Sequence, residues 1–133
     1  AKEIEKTRET SKINGVDELI TVHHAIVSND YSLRSSADGA DIVPPTELPE
    51  CDTLAIDADG AEIPILEEIT PGPETLIVEH HVVLDKNEIV VEYQPERVRS
   101  LIQDLGYDVV EEVSDPTRAY GRFVETIFVG KRA

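Results

Sequence analysis

The stretch "DTLAIDADGAEIPILEEI", residues 52–69, decides how this chain is read. It starts as a short apolar run, Thr53 to Ile56, of the kind found in strands buried on both faces. It then passes through Asp57, Asp59, Gly60 and Glu62 and turns helical in pattern over 61–69. Pro64 is tolerable there because it lies in the first helical turn. A strand, an acidic turn containing a glycine, and a helix make the first part of an α/β unit. Carboxylates at the end of an apolar strand are costly to place, so they invite a functional explanation.

Working outward, "PGP" (71–73) punctuates the chain, and "ETLIVEH" (74–80) reads as a second buried strand that brings Glu79 to its end. "VVLDKNEIVVEY" (82–93) has two apolar arms around a polar turn and predicts a hairpin. "PERVRSLIQDLG" (95–106) predicts a helix, with Pro95 in its first turn and Gly106 just past its end. Val98, Leu101, Ile102 and Leu105 form its apolar face. Two strands follow, "YDVVEEV" (107–113) and "FVETIFVG" (123–130), with no helix between them.

Upstream, residues 2–13 predict a helix stopped by Asn14-Gly15, and 18–27 predict a strand. Ser28 to Glu50 reads as a long surface loop rich in Ser, Asp, Gly and Pro. This order predicts one α/β domain over residues 1–133, with a mostly parallel sheet and a C-terminal antiparallel edge pair. In such sheets ligands bind beyond the carboxyl ends of the strands, where Asp57 and Glu79 are expected.

The composition narrows the partners. The chain carries 28 acidic against 12 basic residues, a net charge of −16, with the acids scattered along it. Nucleic acids and anionic membranes need clustered Lys and Arg and are not expected as partners. Self-repulsion on this scale is tolerable where salt screens it, so the chain is expected in a salt-loaded cytoplasm of the halophilic type. Cys51 is the single cysteine, which fits a reducing compartment. No apolar run approaches the ~18 residues of a membrane span.

The acidic turn fits several motifs unequally. As an EF-hand loop with Gly60 in sixth place, it has Ala55 and Leu66 where oxygen ligands are required, and that reading fails. A strand followed by D-x-D-G resembles the haloacid dehalogenase-type phosphatases, but Ala61 stands where their chemistry wants a hydroxyl. Asp57 and Asp59 also match the D-x-D of metal-dependent glycosyltransferases, a pattern frequent by chance in so acidic a chain.

One resemblance covers most of the chain, roughly residues 4–130. "DTLAIDADGAEIPILEEI", "ETLIVEHH" and "ERVRSLIQDLGYDVVEE" together resemble the FkbM-type S-adenosylmethionine-dependent methyltransferases. Their pattern is a strand ending in D-x-E-G-x-E, a helix, a strand ending in E-x-H, and a helix closed by L-G-Y. Asp57, Gly60, Glu62, Glu79, His81, Leu105, Gly106 and Tyr107 match it, and "NGVDELITVHHAIVSND" is similar to the family's upstream stretch. Asp59 stands in place of the usual Glu, and Ala55 in place of a frequent Lys.

The resemblance implies a partial Rossmann-like sheet, of strand order 3-2-1-4-5-7-6 when whole, and S-adenosylmethionine as cofactor. The Gly-rich turn and ribose-binding acid of such a cofactor half have no counterpart here, because Gly15, Gly39 and Gly60 are each isolated. With no methionine at position 1, the chain is expected to be the C-terminal part of a methyltransferase domain. It should then be unstable alone, or pair with a second copy or with its missing N-terminal half. The implied reaction is O-methyl transfer to a small molecule or glycan, with Asp57, Glu79 and His81 as catalytic candidates and Asp59 and Glu62 facing the substrate. Two alternatives stay open. The chain could be a non-catalytic acidic α/β fragment or interaction module whose acids are solvated strand ends and helix caps, or, as a lesser alternative, a D-x-D metal-dependent glycosyltransferase or phosphatase.

Overall fold

The computed structural model describes residues 2–29, 39–58, 60–85, 88–89, 95–114 and 123–133. It divides into two compact units, Ala1–Pro44 and Pro45–Ala133.

In the N-terminal unit, helix α1 (Lys2–Ile13) places Glu3 and Glu5 in its first turn and Lys12 in its last, matching the helix dipole. Gly15, at φ +67°, ends it. Gly15 N donates to Lys12 O and Val16 N to Ser11 O, the two bonds of a Schellman cap. The strand predicted over 18–27 is shorter than expected. Asp17–Leu19 form a 3-10 turn, and only β1 (Ala25–Val27) is extended and paired. Its partner is β2 (Asp41–Val43), in parallel, with Ile26 beside Ile42. That strand lies inside the stretch predicted as loop, and its three residues are too few to show a period of two.

The C-terminal unit opens with a 3-10 turn at Pro45–Glu47, then runs β3 (Thr53–Asp57), helix α2 (Glu62–Glu68), β4 (Thr75–Asp85), β5 (Glu88–Ile89), helix α3 (Pro95–Asp104), β6 (Tyr107–Ser114) and β7 (Phe123–Arg132). The sheet order is β3-β4-β7-β6, with β5 folding back on β4. β3 and β4 are parallel, and β7 runs antiparallel to both β4 and β6. Three of the four main strands therefore point one way, and the last strand is inserted in reverse between the second and third. This mixed α/β sheet follows the 4-5-7-6 run of the strand order given above. The predicted hairpin over 82–93 is present where it is described, with Leu84 opposite Ile89 and Asp85 opposite Glu88; residues 90–94 lie outside the described residues.

Strand alternation explains the core. Leu76, Val78 and His80 of β4 occupy one face and are fully buried. Their partners across β7 are Gly130, Phe128 and Thr126, also buried and on the same face. Helices α2 and α3 pack there and against each other. α2 contributes Ile63, Ile65 and Leu66, and α3 contributes Val98, Leu101 and Ile102. The buried Tyr107 donates its hydroxyl to Pro73 O at 2.8 Å, fastening the start of β6 to the entry of β4. Arg99 forks onto Glu112 at 2.9 and 2.7 Å, joining α3 to β6. Among the described residues, no helix is long and apolar enough to cross a membrane.

Candidate active site

β3 ends at Asp57, and the parallel ladder sets Asp57 directly beside Glu79. Adjacent strands lie about 4.8 Å apart, so the two carboxylates start from neighbouring backbone positions on one sheet face. That face is opposite the one covered by α2 and α3, because Glu79 alternates with the buried Val78 and His80. Asp57 is exposed and Glu79 half-buried.

One expectation needs correction. Glu79 does not end its strand: β4 continues to Asp85. The cause is β7, which stays paired with β4 from Thr75 to Val83 and carries it beyond the last residue of β3. Glu79 marks the level at which β4 loses its parallel neighbour.

Glu62 lies elsewhere than its predicted place facing the substrate. It opens α2 and is fully buried. One carboxylate oxygen, Oε1, accepts from Gly60 N at 2.9 Å and from Ala58 N at 3.2 Å. The other, Oε2, lies 3.5 Å from His80 Nδ1, and both side chains are 0% exposed. Burial pushes the Glu62 pKa up, but the His80 contact and the backbone N–H donors, Gly60 and Ala58 among them, outweigh it. The carboxyl is held below its ordinary value. Gly60, at φ +109°, lets the chain turn sharply enough for this wrap, a conformation that side chains rarely adopt.

Two signals in the sequence carry this arrangement. Glu62 stands three and four residues before Ile65 and Leu66, on the buried face of its helix, and His80 shares strand parity with Leu76 and Val78. Asp59 lies outside the described residues. His81 continues β4 opposite Glu125, and its side chain lies outside them too. Among the described residues, no group of three His, Cys, Asp or Glu side chains is placed to hold a metal ion. Cys51 is exposed and unbonded. It lines a groove of about 790 Å³ at the opposite, amino-terminal end of β3, together with Pro49, Leu54, Pro71 and Pro73.

No protein-family model and no curated protein matches the chain. Among solved structures, it is similar to the magnesium protoporphyrin IX methyltransferase from Synechocystis PCC 6803, determined with bound SAM, at 11% identity and a TM-score of 0.43. The match covers 90% of this chain and 54% of that one, so the chain spans about half of that protein's length.

Proposed function

We propose that this chain forms the acceptor side of an S-adenosylmethionine-dependent methyltransferase of the FkbM kind, acting on a hydroxyl of a small molecule or glycan. The observation that carries the reading is the register of Asp57 beside Glu79 at the end of the parallel pair, within a sheet whose last strand is inserted in reverse. Asp57, which opens the D-x-D-G-x-E sequence, and Glu79, which opens E-H-H, are the partners in that register.

Among the described residues, no glycine cradle for the cofactor is built. The glycines with left-handed φ, namely Gly15, Gly39, Gly60 and Gly106, sit on separate turns, and none belongs to a G-x-G sequence that would let a pyrophosphate- or ribose-sized group approach the backbone. The chemistry attributed to this chain is therefore that of the acceptor alone. Asp57, open to solvent, accepts a hydrogen bond from the incoming hydroxyl, and Glu79, more shielded, takes up its proton or fixes its orientation. A hydroxyl held in line by two neighbouring carboxylates loses rotational freedom before reaction, which is the largest contribution such a wall can make. His81 remains a further acid/base candidate.

Titration calorimetry of the complete protein with S-adenosylmethionine tests the reading. Saturable heat in the micromolar range supports it, and no heat at millimolar ligand overturns it. The competing reading, a non-catalytic acidic module, draws on the missing glycine cradle and predicts that second result.

A further inference from the structure

We infer that Glu62 and His80 are a buried positioning pair that sets the spacing of Asp57 and Glu79. The inference rests on the acceptor-wall reading above and assigns that wall its support. Glu62 makes its contacts at the residue following each acid. Ala58, which donates to Oε1 at 3.2 Å, follows Asp57 in the chain, and Gly60 donates to the same oxygen at 2.9 Å. His80, whose Nδ1 faces Oε2 at 3.5 Å, follows Glu79. A single carboxylate, fully buried, thus ties the loop leaving β3 to the neighbouring strand β4.

The placement is costly in isolation. A carboxylate out of water needs polar partners for its lone pairs; here two backbone N–H groups donate to Oε1, and the His80 imidazole stands 3.5 Å from Oε2. The two N–H donors belong to a turn that would otherwise leave them without partners before a seven-residue helix whose N-cap, Ala61, has no side-chain hydrogen bond to offer. The geometry has a consequence for the outer face. Asp57 and Glu79 project away from α2, while Ala58 and His80 are held from the α2 side, so movement of Glu62 shifts both acids together. An ordinary N-cap would fix only the loop. Contact with His80 extends the restraint to the second strand.

The test uses the full chain and needs no cofactor. Glu62→Ala should lower amide-exchange protection at Gly60 by about ten- to a hundredfold, the loss of one charge-assisted hydrogen bond, with Phe128 and Val129 unchanged. Glu62→Gln, which keeps an acceptor and a similar shape, should restore part of it. The readout specific to positioning is the side-chain carboxyl carbon resonances of Asp57 and Glu79. Both should move in Glu62→Ala and return toward the wild-type positions in Glu62→Gln, while those of Glu67 and Asp104 stay in place. Should Glu62→Ala fail to fold, a pH titration of the wild type decides: the backbone amide protons of Ala58, Gly60 and His80 should share one midpoint, that of the Glu62 carboxyl. Among the described residues, the titratable groups around this carboxyl are His80 and, one residue away along each strand, Asp57 and Glu79. Gly60 protection that is indifferent to the substitutions, carboxyl signals of Asp57 and Glu79 that do not move, or separate midpoints would each overturn the inference. Failure of the calorimetric experiment would leave these signals untouched, so the two readings fail independently.

Discussion

Replacing Gly130 by alanine puts the packing of the sheet against α3 to a quantitative test. Gly130 lies in the middle of the sheet on β7, facing α3. A Cβ built there would stand 3.0 Å from Ile102 Cγ2 and 3.1 Å from Tyr107 Cβ. Neither neighbour has room to yield, since Ile102 is 0% and Tyr107 2% exposed. Overpacking of a filled core costs about 1–3 kcal/mol. Alanine recovers roughly 0.5–1 kcal/mol of that, because glycine is the poorer residue inside a strand. The net loss at the middle of these ranges is about 1.25 kcal/mol, or ~5–10 °C in melting temperature for a unit of this size.

Gly72→Ala is the matched control. Its added Cβ would meet nothing nearer than Thr70 O at 3.9 Å, so a small gain is expected from restricting the unfolded chain. Adding Ile102→Ala to Gly130→Ala should cost less than the sum of the two single changes, because the new methyl fills part of the vacated space. Thermal melts in concentrated KCl would measure the parent and the four variants, Ile102→Ala alone included. A Gly130→Ala chain as stable as the parent, or a Gly72→Ala chain equally damaged, would refute the packing argument.

Three further outcomes follow from the site and the charge. The Glu62 pKa is lowered in the folded chain, so this carboxylate contributes stability above its unfolded value. That contribution fades as pH falls from about 4.5 through the folded value; the stability gap between the parent and Glu62→Gln should shrink over that window in denaturant titrations. On the proposed methyl-transfer reading, Asp57→Asn and Glu79→Gln should each lower kcat by roughly 10²–10⁴-fold, and the exposed Asp57→Asn should leave the melting temperature within a degree or two, as steady-state assays paired with melts would show. The net charge of −16 predicts a melting temperature that climbs between about 0.1 and 1 M KCl, as the screening length falls from ~10 to ~3 Å; equal stability in dilute buffer would remove the halophilic reading.

What the sequence made legible depends on how local each signal is. Helix α3 was readable because Pro95 and the Val98–Leu101–Ile102 face lie within its own span and Gly106 just past its end, and the helix runs where they predict. β3 and α2 were readable for the same reason. β2 was not, because Asp41–Val43 becomes a strand only through Ala25–Val27, fourteen and more residues away. The extension of β4 past Glu79 likewise depends on β7, whose pairing no window around residue 80 contains. For the site, the level of Asp57 with Glu79 came from the parallel-strand reading, whereas the direction of Glu62 did not. A glutamate in the first helical turn can face a bound substrate or the sheet, and the motif resemblance favoured the former. The position of Glu62 on the same helical face as Ile65 and Leu66 pointed to the latter.

The reversed insertion of β7 has a consequence for synthesis. A chain emerging from the ribosome presents β3, β4 and β6 before the segment that joins β4 to β6. Until residues 123–132 are free, the nascent chain has a parallel pair and a solitary β6 without the strand that pairs with both, and the side of Leu76 and Val78 that later meets β7 stays open to water or to other chains. Assembly of this sheet must therefore be a late, nearly single event, and deletion of the final strand should yield an aggregating product instead of a smaller sheet.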